Sequence, residues 1–170
     1  MDPDEPGWPL LDDFFAQEAS GRAEPTVRRY VRVRDRLTHY LDTADMGRWL
    51  GSDPGTVLSA EREFHEHGAF WHLFGPDELV CVLPGFLQEP WLPDSLGEAR
   101  TQISLVSRLL SHLSRKRLID FSLFACAFWD AEAAVKQARI ELTRRSAAQE
   151  PDEWAQQMPD RFRQEPGPQW

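Results

Sequence analysis

Lysine and asparagine are nearly missing from this chain of 170 residues, whereas arginine is abundant. Only two of the 19 basic residues are lysines, Lys116 and Lys136, and asparagine does not occur. Isoleucine is also rare. This bias is typical of a GC-rich genome, in which arginine replaces lysine throughout a protein. An arginine-rich helix is therefore weaker evidence for nucleic-acid binding here than in a chain of ordinary composition.

Cysteine and long apolar runs are scarce as well. Cys81 and Cys126 are the only cysteines, they lie far apart among apolar residues, and they form no CxxC pair. This pattern predicts buried reduced thiols rather than a zinc site and leaves a disulfide open. No apolar run approaches the ~20 residues of a membrane span. Because the acidic, proline-rich start is unlike a signal peptide, we expect a cytoplasmic protein with no membrane contact.

Sequence motifs of catalysis are absent too. There is no glycine-rich phosphate loop, GxSxG elbow or cysteine–histidine signature. Residues 61–72 collect three histidines and three glutamates, but His65 and His67 point about 200° apart on a helix. Glu61–His65 and Glu63–His67 are typical of surface pairs. The sequence therefore predicts no enzyme, no metal site, no cofactor and no small-molecule substrate.

Apolar residues recur at helical spacing along most of the chain, and a hydrophobic content of 41% indicates a folded protein. The continuous run 118–129 fits a buried strand or a buried helix, and flanking helices favour helix. Asp130 is then expected to cap a final helix. The sequence predicts an all-α, single-domain bundle of five or six helices. Its further members are an apolar first helix with a stop at Gly21, a second from Pro25 to about Asp42, one from Asp53-Pro54 to His67-Gly68, and a long one opened by Ser95. Residues 77–87 are a candidate for one more short helix, broken near Pro84, and not every candidate segment is counted as a separate helix.

Composition divides the chain into three parts. Residues 1–8 form an acidic leader that we expect to be flexible, and 9–148 form the helical domain. Within that domain, 44–76 are predicted to be an acidic insertion. Residues 149–170 are rich in proline, glutamine and acid, which predicts a mobile tail anchored by Trp154.

Positive charge is concentrated on two helix faces, although the net charge is −9. In the segment TVRRYVRVRDRL, four of the five arginines fall within one arc of about 100°, opposite the apolar stripe. A second helix carries hydroxyls between arginines at spacings of i, i+4, i+7 and i+11. Such faces meet either phosphates or the protein's own carboxylates. The candidate nucleic-acid contacts are Arg28, Arg29, Arg32 and Arg36 on the first face, and Ser104, Arg108, Ser111 and Arg115 on the second.

Residues 10–42, LLDDFFAQEASGRAEPTVRRYVRVRDRLTHYLD, resemble the start of the core-binding, SAM-like domain of tyrosine recombinases and phage integrases. Residues 99–120, ARTQISLVSRLLSHLSRKRLID, resemble the last helix of that domain, with Arg117 in place of the usual glycine. The first match comprises Leu11, Phe14 and Phe15, then Gly21 and Arg22, then Thr26, Tyr30, Leu37 and Leu41; the second comprises Ile103, Val106, Leu109, Leu110, Leu113, Leu118 and Ile119.

The resemblance implies a SAM-like bundle that clamps duplex DNA, with Arg28, Arg29, Arg32, Arg108 and Arg115 as phosphate contacts. It does not imply strand exchange, because the roughly 50 residues after Asp120 contain no HxxR motif and no tyrosine. We therefore expect a non-catalytic DNA-associated module. The alternative is a helical protein-interaction or regulatory protein, in which the arginine faces pair with acidic surfaces of a protein partner or of a homo-oligomer.

Overall fold

The computed structural model describes residues 8–149, and every regular element in this range is a helix. The prediction of an all-α chain is therefore confirmed, with eight helices among the described residues rather than five or six. The helices are α1 (Trp8–Ala19), α2 (Glu24–Thr43), α3 (Gly47–Leu50), α4 (Ser52–Phe64), α5 (Ala69–Leu73), α6 (Pro76–Phe86), α7 (Leu96–Arg115) and α8 (Phe121–Gln149).

The C-terminal helix is the largest departure from the expected layout. The run 118–129 and the helix expected after Asp130 form one continuous helix, α8. Asp130 therefore lies inside a helix and does not cap one. Asp120 occupies the start instead, where its carboxylate accepts the Ser122 backbone N–H at 2.9 Å. The Ser122 hydroxyl donates to the same carboxylate at 2.5 Å, and this bond, followed by the backbone one, lowers the pKa of Asp120.

Local turn signals mark several helix ends correctly. Gly21 follows α1 with a φ of 71°, a left-handed conformation that glycine adopts without strain. Pro25 lies in the first turn of α2, as expected. Pro84 lies within α6, which ends two residues later at Phe86. The helix predicted to end at His67-Gly68 already ends at Phe64.

The long helices α2 and α7 pack side by side and run antiparallel. Arg36 contacts Gln102, whereas Tyr30, earlier in α2, contacts Arg108, later in α7. Their apolar stripes are buried between α1, α6 and α8. Tyr40 of α2 is also buried, and its hydroxyl donates to the Val82 carbonyl of α6 at 2.7 Å. Burial raises the pKa of Tyr40. This pair of helices carries all eight candidate nucleic-acid contacts.

The segment predicted to be an insertion, 44–76, forms α3, α4 and α5 and packs against α2 and α6. Met46, Leu58, Phe70 and Trp71 are buried in the same core as the long helices. That the segment is an insertion stays a prediction. The predictions for the leader, the tail and Trp154 lie outside the described residues, apart from Trp8 and Gln149 at the ends of α1 and α8.

The two cysteines differ in their surroundings. Cys81 is half-buried on α6, where burial, followed by Glu78 and Asp77, raises the pKa of its thiol to about 11. Cys126 is exposed on α8, so the prediction of a buried thiol is wrong there; no disulfide joins it to Cys81. Among residues 8–149, no helix is both long enough and apolar enough to cross a bilayer.

Candidate interaction surfaces

Two of the candidate arginines on α2 turn towards α7. The Arg32 Nε lies 2.9 Å from a carboxylate oxygen of Glu98. Arg36 reaches the other oxygen of Glu98 at 3.1 Å and donates to the Gln102 side-chain oxygen at 2.8 Å. Gln102 is fully buried and donates in turn to the Phe86 and Trp91 carbonyls. At these two positions the arginine face meets the chain's own carboxylate.

The arginines in the first turns of α2 are more exposed. Arg28 pairs with Glu24 of the same helix, and both side chains are largely exposed. Arg29 is exposed and has no hydrogen bond or ion pair with any described residue. Arg34, the fifth arginine of the segment, lies 3.6 Å from Asp12 and 3.3 Å from Asp35. The arc of arginines predicted on α2 is thus divided between paired and free side chains.

Arg108 of α7 is held by three helices. Its guanidinium forms an ion pair with Glu18 of α1. It also donates to the hydroxyl of Tyr30 on α2 at 3.1 Å and to that of Ser104 on α7 at 3.3 Å. The same guanidinium lies over the Tyr30 ring, 5.4 Å from its centroid. Because its donors are engaged within the chain, Arg108 is a structural side chain that joins α1, α2 and α7.

The other candidates on α7 share one helix face but differ in their surroundings. Ser104 borders a cleft of about 400 Å³ between α7 and α8, together with Arg100 and Arg139. Ser111 donates to the carbonyl one turn earlier, at 3.1 Å. Arg115 is exposed, with no ion pair to a described residue. On the predicted second face, Arg115 is therefore exposed, whereas Arg108 is engaged within the chain.

A smaller basic group remains at one end of the antiparallel pair, where the start of α2 lies near the end of α7. Near this end lie four exposed basic residues: Arg29 in the second turn of α2, Arg115 at the end of α7, and Lys116 and Arg117 directly after it. The buried His112 lies beside this end, with its ring packed edge-on against Phe14 at 5.4 Å between centroids. Burial lowers the pKa of His112, and Lys116 and Arg115 lower it further. We call these four basic residues the basic end.

A surface that the sequence did not single out runs along α8. Trp129 and Ile140 are 63% and 49% exposed, although both are large apolar side chains. Cys126, Ala133 and Lys136 lie on the same face and are exposed. We call these five residues the outer stripe; their alternating spacing of three and four is the signal that could have identified it. The signal was missed because Cys126 and Trp129 belong to the run 118–129, which was expected to be buried, whereas the other three residues belong to a helix that was expected to start separately after Asp130.

The acidic and histidine-rich segment also forms a cluster that the sequence did not predict. Glu61 Oε1 lies 3.4 Å from His65 Nε2 and 3.5 Å from His72 Nδ1. One ligand atom from each of the three residues lies within 4.8 Å of the others. Helical spacing could not pair His72 with Glu61, because a turn separates them and His72 lies on α5. His67, the neighbour that was considered, instead lies 3.2 Å from Asp42.

Comparisons with protein-family models, with curated proteins and with solved structures find no match to this chain. The resemblance to the integrase core-binding domain therefore stays a prediction.

Proposed function

We propose that this chain is a helical interaction module that associates with a second copy of itself through the outer stripe of α8. The observation that carries the proposal is the exposure of Trp129 and Ile140 on one face of a long helix. A few residues supply most of the binding energy in protein interfaces, and tryptophan is over-represented among them. The alternating spacing of three and four residues is also the pattern by which two helices pack along a seam.

Charge complementarity points to a second copy in antiparallel orientation. The first half of α8, residues 121–135, carries Asp130 and Glu132 and no basic residue. The second half, 136–149, has four basic residues, Lys136, Arg139, Arg144 and Arg145, against a single acid, Glu141. In an antiparallel pair, the acidic half of each copy lies against the basic half of the other.

The spacing of the stripe also suggests where the two copies cross. If Ala133 of each copy lies at the centre, Cys126 faces Ile140 of the second copy and Asp130 faces Lys136. The small side chain of Ala133 lets the two helices approach closely. This register places every residue of the outer stripe within the interface.

The experiment is sedimentation equilibrium of the full chain over a range of concentrations. We expect a monomer–dimer equilibrium that Trp129→Asp abolishes. The matched control is Phe64→Asp on α4, since Phe64 is 80% exposed but lies away from α8; this variant should dimerise like the wild type. A wild type that stays monomeric, or a control that is equally impaired, overturns the proposal.

Disulfide cross-linking tests the orientation. In the proposed register the two Ala133 residues meet, whereas the two Cys126 residues lie about 21 Å apart along the helices. Under oxidation, Ala133→Cys in a Cys126→Ser background should give a cross-linked dimer, and the unchanged chain should not. Cross-linking through Cys126 in the unchanged chain would contradict the antiparallel arrangement.

Association with duplex DNA is the second candidate, and the basic end favours it. Arg29 and Arg115 are two of the predicted phosphate contacts, and neither has an acidic partner among the described residues. Lys116 and Arg117 add charge at the same end. Such contacts bind phosphates with an affinity that falls as salt concentration rises.

Titration of labelled duplex DNA at several salt concentrations tests this second candidate. Arg29→Glu combined with Arg115→Glu should weaken binding and make it less dependent on salt. Arg48→Glu combined with Arg144→Glu changes the net charge equally, away from the basic end, and should weaken binding less. No binding at low salt, or equal loss in both variants, would count against the basic end as a DNA contact.

A further inference from the structure

The cluster of Glu61, His65 and His72 is built from two consecutive helices. Glu61 lies in the last turn of α4 and His65 directly follows that helix, so the two side chains are one turn apart. Gly68, with a φ of 79°, turns the chain so that α5 packs against α4 and brings His72 to the same Glu61 oxygen. The imidazole rings of His65 and His72 lie 4.3 Å apart between centroids. Local chain geometry thus brings three metal-ligating side chains together.

The distances in the cluster suit a tetrahedral metal ion. An ion bound at about 2.0–2.1 Å holds neighbouring ligand atoms about 3.3 Å apart. Glu61 Oε1 lies 3.4 Å from His65 Nε2 and 3.5 Å from His72 Nδ1. Small side-chain rotations would bring the two histidine nitrogens equally close, because all three ligand atoms already lie within 4.8 Å.

The electrostatic surroundings also favour a cation. Among the described residues, Glu61 has no arginine or lysine partner, and its carboxylate is approached only by the two imidazoles. The neighbouring Arg62 turns away and donates to the Ala44 and Leu41 carbonyls at 2.8 and 2.7 Å. Glu63 and Glu66 add negative charge to the same segment. A divalent ion would neutralise a carboxylate that the protein leaves without a permanent counterion.

We propose that Glu61, His65 and His72 bind a divalent transition-metal ion of the zinc class. Two imidazoles and one carboxylate are a ligand set that Zn²⁺ and Co²⁺ accept, in contrast to Mg²⁺ and Ca²⁺, which prefer oxygen alone. His65 is 45% exposed, so the fourth position faces solvent and is open to water. The bound ion joins α4 to α5 and fixes the corner between them.

The experiment is titration of the full chain, free of any affinity-tag histidines, with Co²⁺ followed by its visible absorption. We expect one ion per chain with the spectrum of tetrahedral coordination, and displacement by Zn²⁺. His65→Ala and His72→Ala should each weaken binding by at least about tenfold. The matched control is His67→Ala, since His67 is a neighbouring exposed histidine held by Asp42, and it should bind like the wild type.

A second measurement separates lost binding from lost folding. Zn²⁺ should raise the Tm of the wild type and of His67→Ala, because an ion that binds only the folded chain stabilises it. It should leave the Tm of His72→Ala unchanged, while the helical circular dichroism of the metal-free variant matches that of the wild type. Retained affinity in His65→Ala and His72→Ala, or equal loss in His67→Ala, overturns the proposal.

Discussion

The guanidinium of Arg36 makes contacts that its position on the helix does not reveal. A helical wheel groups Arg36 with three other arginines, yet Arg36 is largely covered by α7 whereas Arg29 is free in the described structure. The difference arises from Glu98 and Gln102, which lie more than 60 residues further along the chain. Helical periodicity predicts which residues share a face, whereas what lies opposite that face depends on tertiary packing.

Replacing Arg36 should therefore cost stability. In Arg36→Met, the Gln102 side-chain oxygen loses its donor inside the protein, so the free energy of unfolding should fall by about 1–3 kcal/mol. Arg29→Met removes the same charge from an exposed position and should change it by less than about 0.5 kcal/mol. Urea denaturation of both variants measures the difference. Equal effects would mean that the contact between Arg36 and Gln102 contributes little.

His112 should make stability depend on pH. Folding lowers its pKa through burial, Lys116 and Arg115, with Glu18 and Asp13 acting in the opposite direction. The unfolded chain therefore binds a proton at His112 more readily than the folded chain does. The neutral histidine's contribution to stability is complete above its unfolded pKa of about 6.5 and is lost as the pH falls below it.

Urea denaturation at a series of pH values from 8 to 5 measures this effect. His112→Leu removes the titrating group, so its stability should fall less than that of the wild type as the solution is acidified. What is compared is how steeply the free energy of unfolding changes with pH, so the absolute stability of the variant does not matter. Parallel curves for the two proteins would show that other groups govern the response to acid.

At the scale of the helices, local signals predicted part of the fold and tertiary packing decided the rest. Gly21 and Pro25 mark boundaries because their backbone preferences act on the residues beside them. The short helices α3 and α5 have no comparable periodic pattern, since four or five residues complete barely one turn. The continuity of α8 was missed because Asp130 is a good capping residue, although its neighbours are good helix formers.

Gly85 lies where α6 closely approaches the side chains of Tyr40 and Trp49. A Cβ at this position would overlap the Tyr40 hydroxyl and the Trp49 indole. Gly85→Ala should therefore lower the free energy of unfolding by about 1–3 kcal/mol, although alanine is the better helix former. Gly97 of α7 has no atom within 4 Å of such a Cβ. Gly97→Ala should thus be neutral or stabilising by up to about 1 kcal/mol. Thermal or urea denaturation measures both variants. A similar loss of stability in the two would argue against close packing at Gly85.

At the scale of the whole molecule, the net charge of −9 conceals separate charged regions. The sequence predicted this separation and the basic helices, but it could not show that Glu18 and Glu98 neutralise part of them. Nor could it show that the apolar side chains of α8 are exposed, because burial of a given helix face depends on where the other helices lie. Asp130, Glu132, Lys136 and Arg139 of α8 are exposed, and in the proposed dimer they lie near the second copy.

Charge reversal on α8 tests whether its charged side chains contribute to the proposed dimer. In the proposed dimer, Asp130 faces Lys136 of the second copy, and the two-fold symmetry repeats this pair. Asp130→Lys or Lys136→Asp alone should therefore create two repulsive pairs and weaken dimerisation by about tenfold. The double variant restores opposite charges at both places and should recover most of the wild-type affinity.

Sedimentation equilibrium at low and at moderate salt measures these dissociation constants. Because the pairs are exposed, the single variants should differ less from the wild type as salt screens the charges. Within one chain, positions 130 and 136 are six residues apart and lie about 120° away from one another around the helix, so the recovery cannot come from an internal pair. A double variant as weak as the single variants would exclude the antiparallel register centred on Ala133.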